Sequence, residues 1–116
     1  SEPEYAVLMN NPSLFRFQNQ VQSGGTLFLN SSMIESRPVR GDLEICEVPV
    51  NELVKQLPDN KVSNVIMLGA FIKKSGLVSL ETMTRILKDQ FGHRNPAILK
   101  LNKSALVLGY DYLKNS

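Results

Sequence analysis

Residues 5–30 read YAVLMNNPSLFRFQNQVQSGGTLFLN, and this stretch decides the class of the fold. Tyr5-Ala-Val-Leu-Met9 is a short apolar run halted at Asn10-Asn11-Pro12, the pattern of a strand buried on both faces. Asn11 then offers an N-cap and Pro12 a first helical position, opening a helix to about Gln22 with Leu14, Phe17 and Val21 as its apolar stripe. Ser23-Gly24-Gly25 supplies residues that tolerate a left-handed helix end. Thr26-Leu-Phe-Leu-Asn30 is a second buried strand. A strand, a helix and a strand in so short a span form a βαβ unit, with parallel strands and a right-handed crossover. The expected class is α/β: a three-layer α/β/α arrangement around a small, mostly parallel sheet, with one edge strand free to run antiparallel, followed by carboxyl-terminal helices.

Beyond this unit, Glu35 to Asp42 is polar and carries Arg37, Pro38, Arg40 and Gly41, so it reads as a surface loop. Leu43 to Val48 alternates apolar and polar residues, which predicts a strand with one exposed face near a sheet edge, stopped by Pro49. Asn51 to Leu57 is a short helix ended at Pro58-Asp59-Asn60. Lys61 to Gly76 reads KVSNVIMLGAFIKKSG, and from Val65 to Ile72 it is apolar on every helical face, interrupted only by Gly69. Such a helix expects protein all round. Its cover is expected from neighbouring helices of the same domain first, and then from a partner subunit or a further chain segment.

Ser79 caps the next helix, with Glu81 in its first turn where the dipole favours negative charge. Leu80, Met83, Ile86, Leu87 and Phe91 form its expected apolar stripe, and Gly92 ends it. Asn95-Pro96 repeats the cap-and-proline device and opens a last helix that carries Ile98, Leu99, Leu101, Ala105, Leu106, Leu108 and Leu113.

The 116 residues predict one domain, 1–116, able to bury roughly two-thirds of its unfolded surface. Hydrophobic residues make up 42% and charged residues 21%, the ordinary soluble range. The formal charge of +2 comes from interspersed side chains, with no cationic run longer than Lys73-Lys74, so nothing marks a nucleic-acid or anionic-membrane surface. The apolar runs fall well short of the ~20 residues a bilayer span needs, and the first residues lack the layout of a secretory signal. The expected location is cytoplasmic. Cys46 is the only cysteine and His93 the only histidine, which excludes an internal disulfide and a cysteine- or histidine-rich metal site.

Few residues could carry chemistry. Gly24-Gly25 lies between a helix and a strand, whereas a phosphate-cradling loop follows a strand and opens a helix, so these glycines read as a helix end. Ser31 and Ser32 stand at the carboxyl end of a parallel strand, where open α/β sheets bind ligands, and are the weak ligand candidates. Cys46 sits mid-strand, with no basic neighbour in sequence to activate it, and reads as a structural thiol; His93 reads as an exposed loop residue. Asp42, Glu44 and Glu47 lie close together, but Glu44 and Glu47 point to opposite faces of a strand and make no acid/base pair. No metal ligands and no catalytic residues are assigned. Asn64, Leu68, Gly69 and Phe71 on the apolar helix are the candidate interface residues. For Asn64 the plainer alternative is a first-turn residue satisfying free backbone amides, and for Gly69, as for Gly109, it is close helix packing.

One family matches these pieces in order: Gly24-Gly25-Thr-Leu-Phe-Leu-Asn-Ser-Ser32, Val48-Pro49, Val62-Ser-Asn-Val-Ile-Met-Leu-Gly-Ala70, Gly76-Leu-Val-Ser-Leu-Glu81, Asn102-Lys-Ser-Ala105 and Gly109-Tyr110. Together they resemble the gamma subunit of the 2-oxoacid:ferredoxin oxidoreductases, which act on pyruvate, 2-oxoglutarate, ketoisovalerate and related acids. Members of that family begin with a glycine-rich strand-to-helix segment ahead of the part matching Tyr5. The resemblance therefore makes residues 1–116 the carboxyl-terminal two-thirds of a gamma domain.

The resemblance implies a complex that converts a 2-oxoacid and coenzyme A to acyl-CoA, CO2 and reduced ferredoxin. It implies alpha, beta and ferredoxin-like partner subunits that carry thiamine diphosphate, magnesium and iron–sulfur clusters, with ferredoxin or a similar acceptor. No cofactor is expected on this chain, whose role is structural, and isolated chains are expected to be inactive and able to form a homodimer. Two other readings stay open: a free-standing α/β module that binds a nucleotide or small acid at Ser31 and Ser32, and an interaction domain without a ligand.

Overall fold

Three strands, β1 (Tyr5–Leu8), β2 (Thr26–Asn30) and β3 (Glu44–Val48), pair in the order β1-β2-β3. Both pairings are parallel, with Tyr5 opposite Thr26 and Leu8 opposite Leu29, and with Thr26 opposite Glu44 and Asn30 opposite Val48. The computed structural model describes residues 5–8, 22–33, 41–92 and 95–114. These belong to two units, Ser1–Pro49 and Val50–Ser116. The helix expected to open at Asn11 and Pro12, most of the loop after Glu35, and His93 lie outside the described residues.

In the first unit β2 is buried along its whole length, as an apolar central strand in a parallel sheet must be. Leu27 and Leu29 form a core on one face with Ala6, Leu43 and Ile45 packed against them. Phe28 occupies the other face, and its ring lies 6.5 Å from that of Tyr5 in a tilted arrangement. The two outer strands depart from expectation. β1 is not covered throughout, since Val7 is 42% exposed. β3 does not leave one face to solvent: Ile45 packs on Leu27 and Leu29, while Cys46 and Val48 are buried on the opposite side. Only Glu44 and Glu47 are exposed, and β3 runs parallel, so the antiparallel option is not taken among the described strands.

Gly24 and Gly25 make the turn that delivers the chain into β2. Gly24 adopts φ +82°, a left-handed conformation that a side chain disfavours. Its N–H donates to Asp42 O at 2.8 Å, and Gly25 O accepts from Glu44 N–H at 2.9 Å, which ties the starts of β2 and β3 together.

The second unit opens with α1 (Val50–Leu53) and a 3-10 turn, Val54–Gln56, in place of the single helix expected from Asn51 to Leu57. Another 3-10 turn, Asn60–Val62, leads into α2 (Ser63–Ser75). Asp59 Oδ1 accepts from Lys61 N–H at 2.8 Å at that entry. α2 stops at Gly76, which has φ +67° and donates its N–H to Ile72 O at 3.1 Å.

α3 (Leu80–Phe91) and α4 (Pro96–Lys114) start as their caps predict. Ser79 Oγ accepts from Thr82 N–H at 3.0 Å, and Asn95 Oδ1 accepts from Ala97 N–H at 2.9 Å. α4 carries the main contacts of α2, and α3 packs on both. Ile72, Leu87 and Leu106 are the buried centre, with Leu80, Met83 and Phe91 half-buried around them. Ile86 does not join the stripe assigned to it and is 45% exposed. Leu80, Met83, Leu87 and Phe91 follow three- and four-residue steps, and Ile86 falls about 100° from Leu87 around the axis. Among the described residues no helix is long and apolar enough to cross a membrane.

Candidate functional site

The carboxyl end of β2 is the place where a ligand would be sought in an open parallel sheet. Asn30 ends the strand, only 1% exposed. Its Oδ1 accepts from Ser32 N–H at 3.1 Å, and its carbonyl oxygen accepts from Met33 N–H at 3.1 Å. Ser31 N–H donates to Val48 O at 3.0 Å, extending the β2–β3 ladder by one rung. The amides of Ser31, Ser32 and Met33 are thus all consumed by the protein itself. A turn in this state offers no row of free N–H groups to an anion, and Ser31 and Ser32 themselves are half-buried.

Asn30 was visible in the sequence only as the last residue of a strand. Its signal is a polar residue at the end of an apolar run, two positions before a serine whose amide needs a partner. Cys46 is buried in β3, and Glu44 and Glu47 are exposed. Among the described residues no three or more histidine, cysteine or acidic side chains are grouped as a metal site would require.

The four candidate interface residues of α2 separate by environment. Asn64 is exposed in the first turn. Leu68 and Phe71 are half-buried and pack on the Ile72, Leu87 and Leu106 cluster. Gly69 is buried against the chain's own α4: a Cβ placed there would fall on Leu106 O and lie 2.9 Å from Tyr110 N. Gly109 answers it from α4, where a Cβ would fall on Ile66 O and lie 3.2 Å from Ala70 N. Here the packing role of the two glycines is what the structure displays. Tyr110 also receives Lys73, whose Nζ stands 5.4 Å from the ring centroid.

In the sequence Asn102 stands out only as the start of the family piece Asn102-Lys-Ser-Ala105, with no role attached to it. It is 7% exposed on α4, and its Nδ2 donates to Ile98 O at 2.9 Å. Apolar periodicity cannot find such a residue, because it counts a buried amide as surface. Beside the entry to α2 a groove of about 660 Å³ is lined by Asn51, Lys55, Asp59, Asn60 and Ser63 among others. Several of its polar groups are engaged within the chain: Asp59 with Lys61 N–H, Ser63 Oγ with Asn60 O, and Lys55 with Glu52 at 3.2 Å.

Residues 1–112 match the family model described as pyruvate ferredoxin/flavodoxin oxidoreductase. Pyruvate synthase subunit PorC of Thermotoga maritima is 32% identical over 74 residues, which are 63% of this chain and 38% of that protein. The gamma subunit of a keto/oxoacid ferredoxin oxidoreductase from Geobacter sulfurreducens superposes with a TM-score of 0.85 at 20% identity, over 97% of this chain and 65% of that one. A 2-oxoglutarate:ferredoxin oxidoreductase from Magnetococcus marinus, solved with 2-oxoglutarate, coenzyme A and succinyl-CoA bound, superposes at 0.84 with 17% identity, over 97% of this chain and 20% of that one. These structural likenesses establish an α/β fold shared with gamma subunits. The chain spans less than two-thirds of the length of each of these relatives.

Proposed function

The chain belongs to the pyruvate ferredoxin/flavodoxin oxidoreductase family, and from that premise we propose that it is the gamma-subunit part of a 2-oxoacid:ferredoxin oxidoreductase. The complex would convert a 2-oxoacid, coenzyme A and oxidised ferredoxin to acyl-CoA, CO2 and reduced ferredoxin in the cytoplasm. Within it this chain has a structural role and supplies no catalytic residue. The observation that carries the reading is the family match over residues 1–112, with the shared fold in support.

Alpha, beta and ferredoxin-like subunits are the proposed partners. Thiamine diphosphate with its magnesium, and the iron–sulfur clusters, are placed on them. The donor set argues the same way, since clusters take several cysteine thiolates and this chain has Cys46 alone, inside a strand. Bound thiamine diphosphate supplies the carbanion chemistry of 2-oxoacid cleavage. This chain's contribution is a packed surface against which the partners assemble. Ser31 and Ser32 are retained as weak candidates for a ligand contact, from their place at the carboxyl end of a parallel strand. A free-standing nucleotide-binding module draws no support from that turn, because its amides are already bonded.

The test is co-expression with the partner chains, followed by native mass and identification of what co-purifies. Assembled complex should reduce ferredoxin in the presence of a 2-oxoacid and coenzyme A, and omission of this chain should abolish assembly or activity. A chain that stays a stable monomer in the presence of those partners, and binds a nucleotide without them, overturns the proposal.

A further inference from the structure

We draw no further inference here: the strongest candidate, the shallow groove between the Val54–Gln56 turn and α4 that Gln56, Leu57, Val107 and Leu108 line, is an unpartnered apolar face, and nothing in the structure shows what covers it.

Discussion

Gly69 of α2 and Gly109 of α4 each lie against a backbone carbonyl of the opposite helix, Leu106 O and Ile66 O respectively, in space that a Cβ would occupy. Each glycine costs its helix about 1 kcal/mol relative to alanine. That cost is offset by the close approach of two backbones, which allows Ile66, Ala70, Ala105 and Leu106 to be buried completely.

Gly69→Ala and Gly109→Ala should therefore each destabilise the protein by about 1–3 kcal/mol, the usual cost of overpacking, against the direction of helix propensity. Chemical denaturation of the two variants measures this. The double variant should lose less than the sum, because a crossing already forced apart by one Cβ has room for the second. A neutral or stabilising Gly69→Ala would mean that the helices do not cross at this contact.

Asn30→Leu should cost about 1–3 kcal/mol, because the Ser32 N–H loses the side-chain oxygen that accepts from it while the strand end stays buried. Thermal unfolding is the readout. Unchanged stability would show that the Ser31 to Met33 turn closes without the asparagine.

Leu87 and Ile86 are adjacent in α3 but differ in exposure, 7% against 45%. Leu87→Ala should cost about 2–5 kcal/mol as a cavity in the helical core. Ile86→Ser should change stability by under about 1 kcal/mol, as for other exposed positions. Equal losses would place Ile86 in the core after all.

Cys46→Ser buries a hydroxyl in β3 and should lower stability by about 1–3 kcal/mol. Assembled complex carrying it should keep its turnover. A large loss of turnover in an intact assembly would make the thiol a participant in the chemistry and not a packing residue.

Asn64→Arg separates folding from assembly, since Asn64 is exposed and in the first turn of α2. Stability should stay within about 0.5 kcal/mol of the parent, while capture of partner subunits should fall. Undiminished capture would remove Asn64 from the subunit interface.

Much of the fold was legible from local signals. The apolar runs beginning at Tyr5 and Thr26 mark two parallel strands, and Ser79 and Asn95-Pro96 mark helix starts to the residue. The departures from expectation concern which face of an element an apolar side chain takes. In β3 the two glutamates, Glu44 and Glu47, fall on opposite faces, so Ile45 and Cys46 do too and no face is wholly polar; Ile45 packs on Leu27 and Leu29. Ile86 is apolar, but its angle of about 100° from Leu87 carries it out of the buried stripe. For the candidate site, the position of Ser31 and Ser32 at a strand end was legible. The occupation of their amides was not, because Val48 supplies one of the acceptors from another strand.

Taken alone, the sequence determined the class of the elements, most of their ends, and the absence of a multi-cysteine or multi-histidine centre. Caps, turn residues and periodicity act over a few positions, so they can be read without knowing what packs where. Only the tertiary structure decided that Gly69 meets α4, that Asn30 and Asn102 are buried with local hydrogen bonds, and that Leu68 and Phe71 are half-covered by the chain itself. Those outcomes depend on the free energy of close packing between segments far apart in the chain, a quantity that no single segment carries.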